Sequence, residues 1–200
     1  MKKILLLLCM LLTYSLTYAQ IEKGKWFAAG YSSLSLDVGK EKWKSEGTTS
    51  DLEKYTRLNF DPMIGYFVMD KIPVGLYIES YFNKDVDTDD NDTFRESEIE
   101  IGPFVRYYIK KFDKFIPYAE ARAGIGSYKE DWYGNVYKES ILAYRIGAGL
   151  SYFFTQNIAF DAFIGYDNDR YKSDDDGEEY EYSYPSVDIN LGLVVTFGKQ

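Results

Sequence analysis

Strict alternation through Glu98–Ile109, EIEIGPFVRYYI, constrains this chain more than any other feature. The odd positions Ile99, Ile101, Pro103, Val105, Tyr107 and Ile109 carry no charge, while the even positions Glu98, Glu100, Gly102, Phe104, Arg106 and Tyr108 hold every carboxylate and guanidinium. A period of two puts successive side chains on opposite faces of an extended strand. One strand alone does not say which face is which. If the pattern recurs along the chain, with charge confined to one face, the simplest solution is a closed sheet with lipid outside and a packed polar interior.

The pattern recurs. Trp26–Leu36 is a first segment of ambiguous register, because Phe27, Ala29 and Tyr31 compete with Leu34 and Leu36; a bulge would reconcile them. Tyr55–Met69 sets Leu58, Phe60, Pro62, Ile64, Tyr66 and Val68 against Arg57, Asn59 and Asp61. Val74–Asn83 sets Leu76, Ile78 and Phe82 against Tyr77, Glu79 and Tyr81. Beyond Glu98–Ile109 come Phe115–Tyr128, with Glu120 and Arg122 on its polar face, and Ile141–Phe154, with Arg145. Ile158–Asp167 sets Phe160, Ala162 and Ile164 against Asp161 and Asp167, and Val187–Phe197 closes the series. Pro62 and Pro103 run against the pattern, since each removes a ladder donor that a bulge or water must replace.

The connections alternate too. Those near Asp70, Lys110 and Thr155 are short, whereas Asp37–Lys54, Lys84–Arg95, Lys129–Lys138 and Asn168–Pro185 read as longer loops, with acidic runs from Asp85 and Asp174. Short periplasmic turns and long external loops are the asymmetry of bacterial outer-membrane barrels. The expected fold is all-β: an eight-stranded antiparallel up-and-down transmembrane β-barrel.

Residues 1–19 read as a secretory leader. Lys2 and Lys3 form a positive start, Ile4–Leu12 an apolar run too short to span a bilayer, and Thr17-Tyr18-Ala19 a small-residue cleavage site ahead of Gln20. Cys9 sits inside the apolar run rather than at its end, which argues against a lipid anchor. Cleavage would remove the only cysteine and leave a single domain, residues 20–200, with neither disulfide nor thiolate ligand. It would also take the formal charge from −9 to −11, since no acidic residue lies in the leader. A chain this acidic is a poor candidate for binding nucleic acid or anionic lipid by electrostatics.

Together with the leader and the eight alternating segments, the stretches GPFVRYYI, PYAEARAGIGSY from Pro117 and RIGAGLSYFFTQNIAFDAFIGY from Arg145 resemble the outer membrane protein β-barrel domain family, the porin-like small barrels of OmpX and OmpA type. The resemblance implies a cell outer membrane location. It also implies outer-membrane lipid and lipopolysaccharide as surroundings, the barrel assembly machinery as a partner in biogenesis, and a possible surface partner outside. Such chains typically end on an aromatic residue that the assembly machinery reads; here Gly198, Lys199 and Gln200 follow Phe197. The motifs are diffuse and carry no catalytic residue.

Eight strands enclose a space that side chains fill. The inward set includes Glu79, Glu98, Glu100, Arg106, Glu120, Arg122 and Arg145, and the expectation is that the arginines bridge the carboxylates across the lumen, because an unpaired buried charge is costly. Gly102, Gly124 and Gly147 would make room for Tyr and Arg side chains. A plugged lumen follows, and with it a non-enzymatic role in envelope structure or surface interaction; the alternative is a narrow porin. The chain has no histidine, which removes the base that a serine nucleophile needs. The pair Glu98 and Glu100 could do glycosidic chemistry, but neighbours two apart are ordinary in a polar lumen. Asp85, Asp87 and Asp89 have the spacing that opens a calcium loop, without its glycine and closing glutamate, so they are weak metal candidates, and no cofactor is expected. The rival fold is a soluble lipocalin, suggested by Gly24-Lys25-Trp26, in which the apolar rows would face inward around a ligand.

Overall fold

A computed structural model describes residues 21–31, 35–45, 48–87, 93–110, 112, 114–132, 134–175 and 178–198 of the chain, with side chains left aside at 35–45, 48–55, 87, 174–175 and 178–179. Among these residues are ten strands: β1 Trp26–Tyr31, β2 Ser35–Ser45, β3 Thr48–Asn59, β4 Pro62–Met69, β5 Ile72–Asp87, β6 Thr93–Tyr108, β7 Phe115–Trp132, β8 Asn135–Phe153, β9 Ile158–Asp175 and β10 Glu178–Phe197. Every pairing is antiparallel. Eight strands close a ring in the order β1-β10-β9-β8-β7-β6-β5-β4 and back to β1, while β3 continues β4 along β5, and β2 pairs with β3. Closure satisfies backbone donors and acceptors within the protein, which a bilayer demands.

Inside and outside are settled by exposure. Ile64, Leu76, Ile101, Ile125, Ile146, Ile164, Ile189 and Leu191 are all exposed on the wall, whereas Arg106, Glu120, Arg122, Asp161 and Glu100 are buried. A lipocalin arrangement would be the reverse. Aromatic pairs flank the apolar band as a barrel girdle requires: Trp26 with Tyr66, Phe115 with Tyr152 and Phe154 with Phe160 at the end carrying the short turns, and Tyr144 with Tyr166 towards the other.

Three sequence expectations need correction. The second segment is broken at Phe60–Asp61, where Ser80 stitches the gap: its backbone N–H donates to Asp61 Oδ1 at 3.3 Å and its hydroxyl to the Phe60 carbonyl at 2.7 Å. Pro62 then opens β4, a position where a missing N–H does least harm. The stretches read as long loops are largely strand, since β5 runs on to Asp87, β6 starts at Thr93, and β7, β8, β9 and β10 extend well past the apolar band. Hydrophobic alternation stops where lipid stops, but backbone pairing continues into water. Finally, the interior is not polar throughout. Phe27, Phe67, Tyr108, Ile116, Tyr118, Phe153 and Phe163 fill the half nearer the short turns, which assigns Phe27 and Tyr31 of the ambiguous first segment to the inside. Leu34 lies outside the described residues.

Pro103 leaves a visible mark. The β6–β7 register passes from Ile101↔Ile125 to Phe104↔Arg122 with no pairing at Gly102 or Pro103. The tightest turn, Asp70–Lys71, joins the Met69↔Ile72 pair with Lys71 at φ 69°, a left-handed conformation.

Candidate functional site

The interior charges sit at the middle of the barrel because the inward-facing positions of β5 to β9 bring them there, above the aromatic base. Arg106 on β6 is the hub. Its Nε donates to Glu120 Oε2 at 2.6 Å and its Nη1 to Asp161 Oδ2 at 2.6 Å, while Nη2 donates to the Tyr31 hydroxyl and Nη1 also reaches the Tyr108 hydroxyl at 3.1 Å. The guanidinium lies 3.8 Å from the Tyr118 ring centroid and 5.0 Å from that of Phe27, so it is sandwiched by cation–π contacts as well as paired. Arg122 donates from Nε to Glu120 Oε1 at 2.8 Å, so Glu120 is shared between two arginines. Ser151 donates to the other Asp161 oxygen.

A second cluster lies towards the outer end. Arg145 pairs with Asp167 and reaches Glu79 Oε1 at 3.2 Å. The two remaining carboxylates are held by phenols instead of guanidinium groups: Tyr77 donates to Glu100, and Tyr171 to Glu98 at 3.2 Å. The structure therefore brings Arg106, Glu120 and Arg122 into one network and Arg145 and Glu79 into another. It keeps Glu98 and Glu100 apart from the arginines, against the expectation that arginines bridge them all. Glu79, Glu100, Arg122, Arg145, Tyr77 and Asp167 close together between the networks and leave no space for a water molecule among them.

Two of these ion pairs cross the barrel. Arg106 on β6 and Asp161 on β9 are three strands apart around the ring, as are Arg145 on β8 and Glu79 on β5. Sequence reasoning placed Asp161 and Asp167 on the polar face but missed their roles in the networks, together with those of Tyr31, Tyr77 and Tyr171.

Towards the mouth the polar strand ends carry tyrosines. Tyr171 and Tyr182 stack at 5.4 Å between centroids, and Tyr184 packs edge-on against both. Tyr137 and Tyr182 donate to Glu139. Partial burial pushes the Tyr182 phenol above its ordinary range, and the bond to Glu139 adds to this, so it remains a donor. Of the weak metal candidates, Asp85 accepts from Asn83 at 2.9 Å, while the Asp87 side chain and all of Asp89 lie outside the described residues. Among the described residues no group of three His, Cys, Asp or Glu side chains is placed to hold a metal ion.

A closed antiparallel ring with an apolar wall and a charged, tyrosine-lined interior defines an integral outer-membrane β-barrel protein. The family model described as outer membrane protein beta-barrel domain matches residues 4–197, and the chain belongs to that family. Among solved structures, the outer membrane protein OprG from Pseudomonas aeruginosa is similar with a TM-score of 0.50 and 13% identity, covering 90% of this chain and 98% of that one. Neisserial surface protein A is similar at 16% identity and TM-score 0.47, covering 86% and 95%. Outer Membrane Protein W of E. coli is similar at 15% identity and TM-score 0.47, covering 88% and 99%. At 13% identity the likeness to OprG extends to the fold alone. No curated protein sequence matches. The protein is located in the outer membrane.

Proposed function

We propose that this barrel is a non-enzymatic component of the outer membrane that serves envelope structure or surface interaction, with a lumen plugged by its own side chains. The observation that carries this reading is the pair of cross-lumen ties, Arg106–Asp161 and Arg145–Glu79. A solute on the axis would have to part a fully buried ion pair, and each freed charge would need a new partner. The exposed rings of Tyr180 and Tyr184 at the mouth support a contact role, since Tyr offers broad contact area at low entropic cost. The absence of histidine, and the engagement of Glu79, Glu98, Glu100, Glu120 and Asp161 by arginine, tyrosine or serine, argue against general-base chemistry.

Planar-bilayer recordings of the purified protein are expected to stay silent over minutes at moderate voltage. Reproducible conductance steps would replace the plug with a narrow porin. Export is proposed to remove the leader after Ala19, so N-terminal sequencing of protein from outer membranes is expected to begin at Gln20; an intact Met1 start would refute cleavage.

A further inference from the structure

We infer that the outer wall carries a binding site for the phosphate groups of outer-leaflet lipopolysaccharide, centred on Lys84, Arg95 and Lys129. The inference rests on the long-strand end facing outwards. The outward rows of four adjacent strands change character in the same three steps on leaving the membrane. On β6 the order is Ile99, Ser97, Arg95; on β7 it is Ile125, Ser127, Lys129; on β8 it is Leu142, Ser140, Lys138; and on β9 it is Tyr166, Asn168, Arg170, with Asn168 itself buried. Lys84 continues the cationic row on β5, above Phe82. Apolar, small polar and then cationic is the sequence of surroundings an amphiphile with acyl chains and an anionic head meets along its own length.

Register makes the site specific. Lys84 lies directly opposite Arg95, Lys129 directly opposite Lys138, and Lys129 is diagonal to Arg95. Like charges facing each other across a strand pair are destabilising, so an anion seated between them removes a cost the empty wall carries. Among the described residues Lys84, Arg95 and Lys129 form no ion pair. The nearest outward acid, Asp131, faces Arg95 but accepts the Gly134 N–H of its own turn at 3.1 Å. The three cations line a recess of about 450 Å³ together with the apolar Leu58 and Phe82 and the acids Glu96 and Asp131, so an acyl chain has apolar surface beside it while the head reaches the amines. A net charge of −9 hides this arrangement, because Glu79, Glu98, Glu100, Glu120, Asp161 and Asp167 lie on the inward faces while these cations lie on the outward rows of β5 to β9.

The test titrates bis-phosphorylated lipid A into the full-length protein in dodecyl maltoside and counts bound lipid by native mass spectrometry. The triple variant Lys84→Ser, Arg95→Ser, Lys129→Ser is expected to bind at least tenfold more weakly than the native chain. Lipid A stripped of both phosphates should bind the native chain as weakly, and a Lys110→Ser, Lys114→Ser control at the opposite end should bind normally. The lipid-free triple variant should melt no lower than the native chain, because it loses only repulsion. Unchanged affinity in the triple variant, or equal binding of the dephosphorylated lipid, overturns the site and leaves the cations to another partner. A Lys129→Cys variant on intact cells separates the two levels: no reaction with a membrane-impermeant maleimide overturns the outward orientation, whereas labelling without phosphate dependence overturns the lipid site alone.

Discussion

Replacing Arg106 with methionine is expected to destabilise the folded barrel by roughly 3–5 kcal/mol, the cost of breaking a buried ion pair from one side. Among the described residues the guanidinium alone touches Glu120, Asp161 and the Tyr31 and Tyr108 hydroxyls together, so its loss leaves Asp161 with hydroxyl partners and Glu120 with Arg122. Equilibrium urea unfolding in lipid vesicles reads the change as a lower midpoint with little change in slope. The control that separates charge from packing is the triple variant Arg106→Met, Glu120→Gln, Asp161→Asn, which removes the orphaned carboxylates together with the arginine. It is expected to recover more than half of the loss, because neutral replacement of a whole buried network is far cheaper than removal of one partner. Arg122 then loses its own partner, Glu120, so recovery stays incomplete. If the single variant unfolds at the native urea concentration, Arg106 does not hold the interior together.

These residues also mark how far the chain could be read before its structure. Alternation assigns a side chain to a face, and the faces of Glu79, Arg106, Glu120, Arg122 and Arg145 were legible in that way. It does not assign height. Which inward residues meet depends on the stagger between strands, a property of the closed sheet that no single segment encodes. The stagger puts Asp161 within reach of Arg106 and Tyr77 within reach of Glu100, although Glu100 shares a strand face with Arg106. The aromatic base escaped for another reason: inward Phe27, Phe67 and Phe163 read as apolar residues on a face expected to be polar, and the expectation was too simple for the half of the lumen that is packed shut. The outer strand ends escaped because hydrophobic contrast, the signal used to find strands, vanishes at the level of Ser97, Ser127 and Ser140, while hydrogen-bonded pairing runs on.

Gly102→Val is expected to prevent the barrel from closing. A Cβ at Gly102 would stand 1.9 Å from the Ala123 carbonyl oxygen and 2.5 Å from Gly124 Cα, both backbone atoms of the adjacent strand. The contact falls where Pro103 already leaves the β6–β7 ladder unpaired, so the strands can separate there only by opening neighbouring pairs. No rotamer change relieves a clash with main chain, and interiors this dense transmit strain rather than absorb it. Heat-modified migration on cold SDS gels, in which a closed barrel runs apart from its boiled form, should show little or no folded band. Two comparisons fix the cause. Gly124→Ala would bring its methyl to 2.3 Å from the Tyr77 hydroxyl, a side chain that can swing away at the expense of its bond to Glu100; that variant should fold with a loss of about 1–3 kcal/mol, the range for overpacking. Gly30→Ala meets nothing within 4 Å and should fold as the native chain does. A normal folded band for Gly102→Val would mean that β6 and β7 do not approach as closely at this point as the register requires.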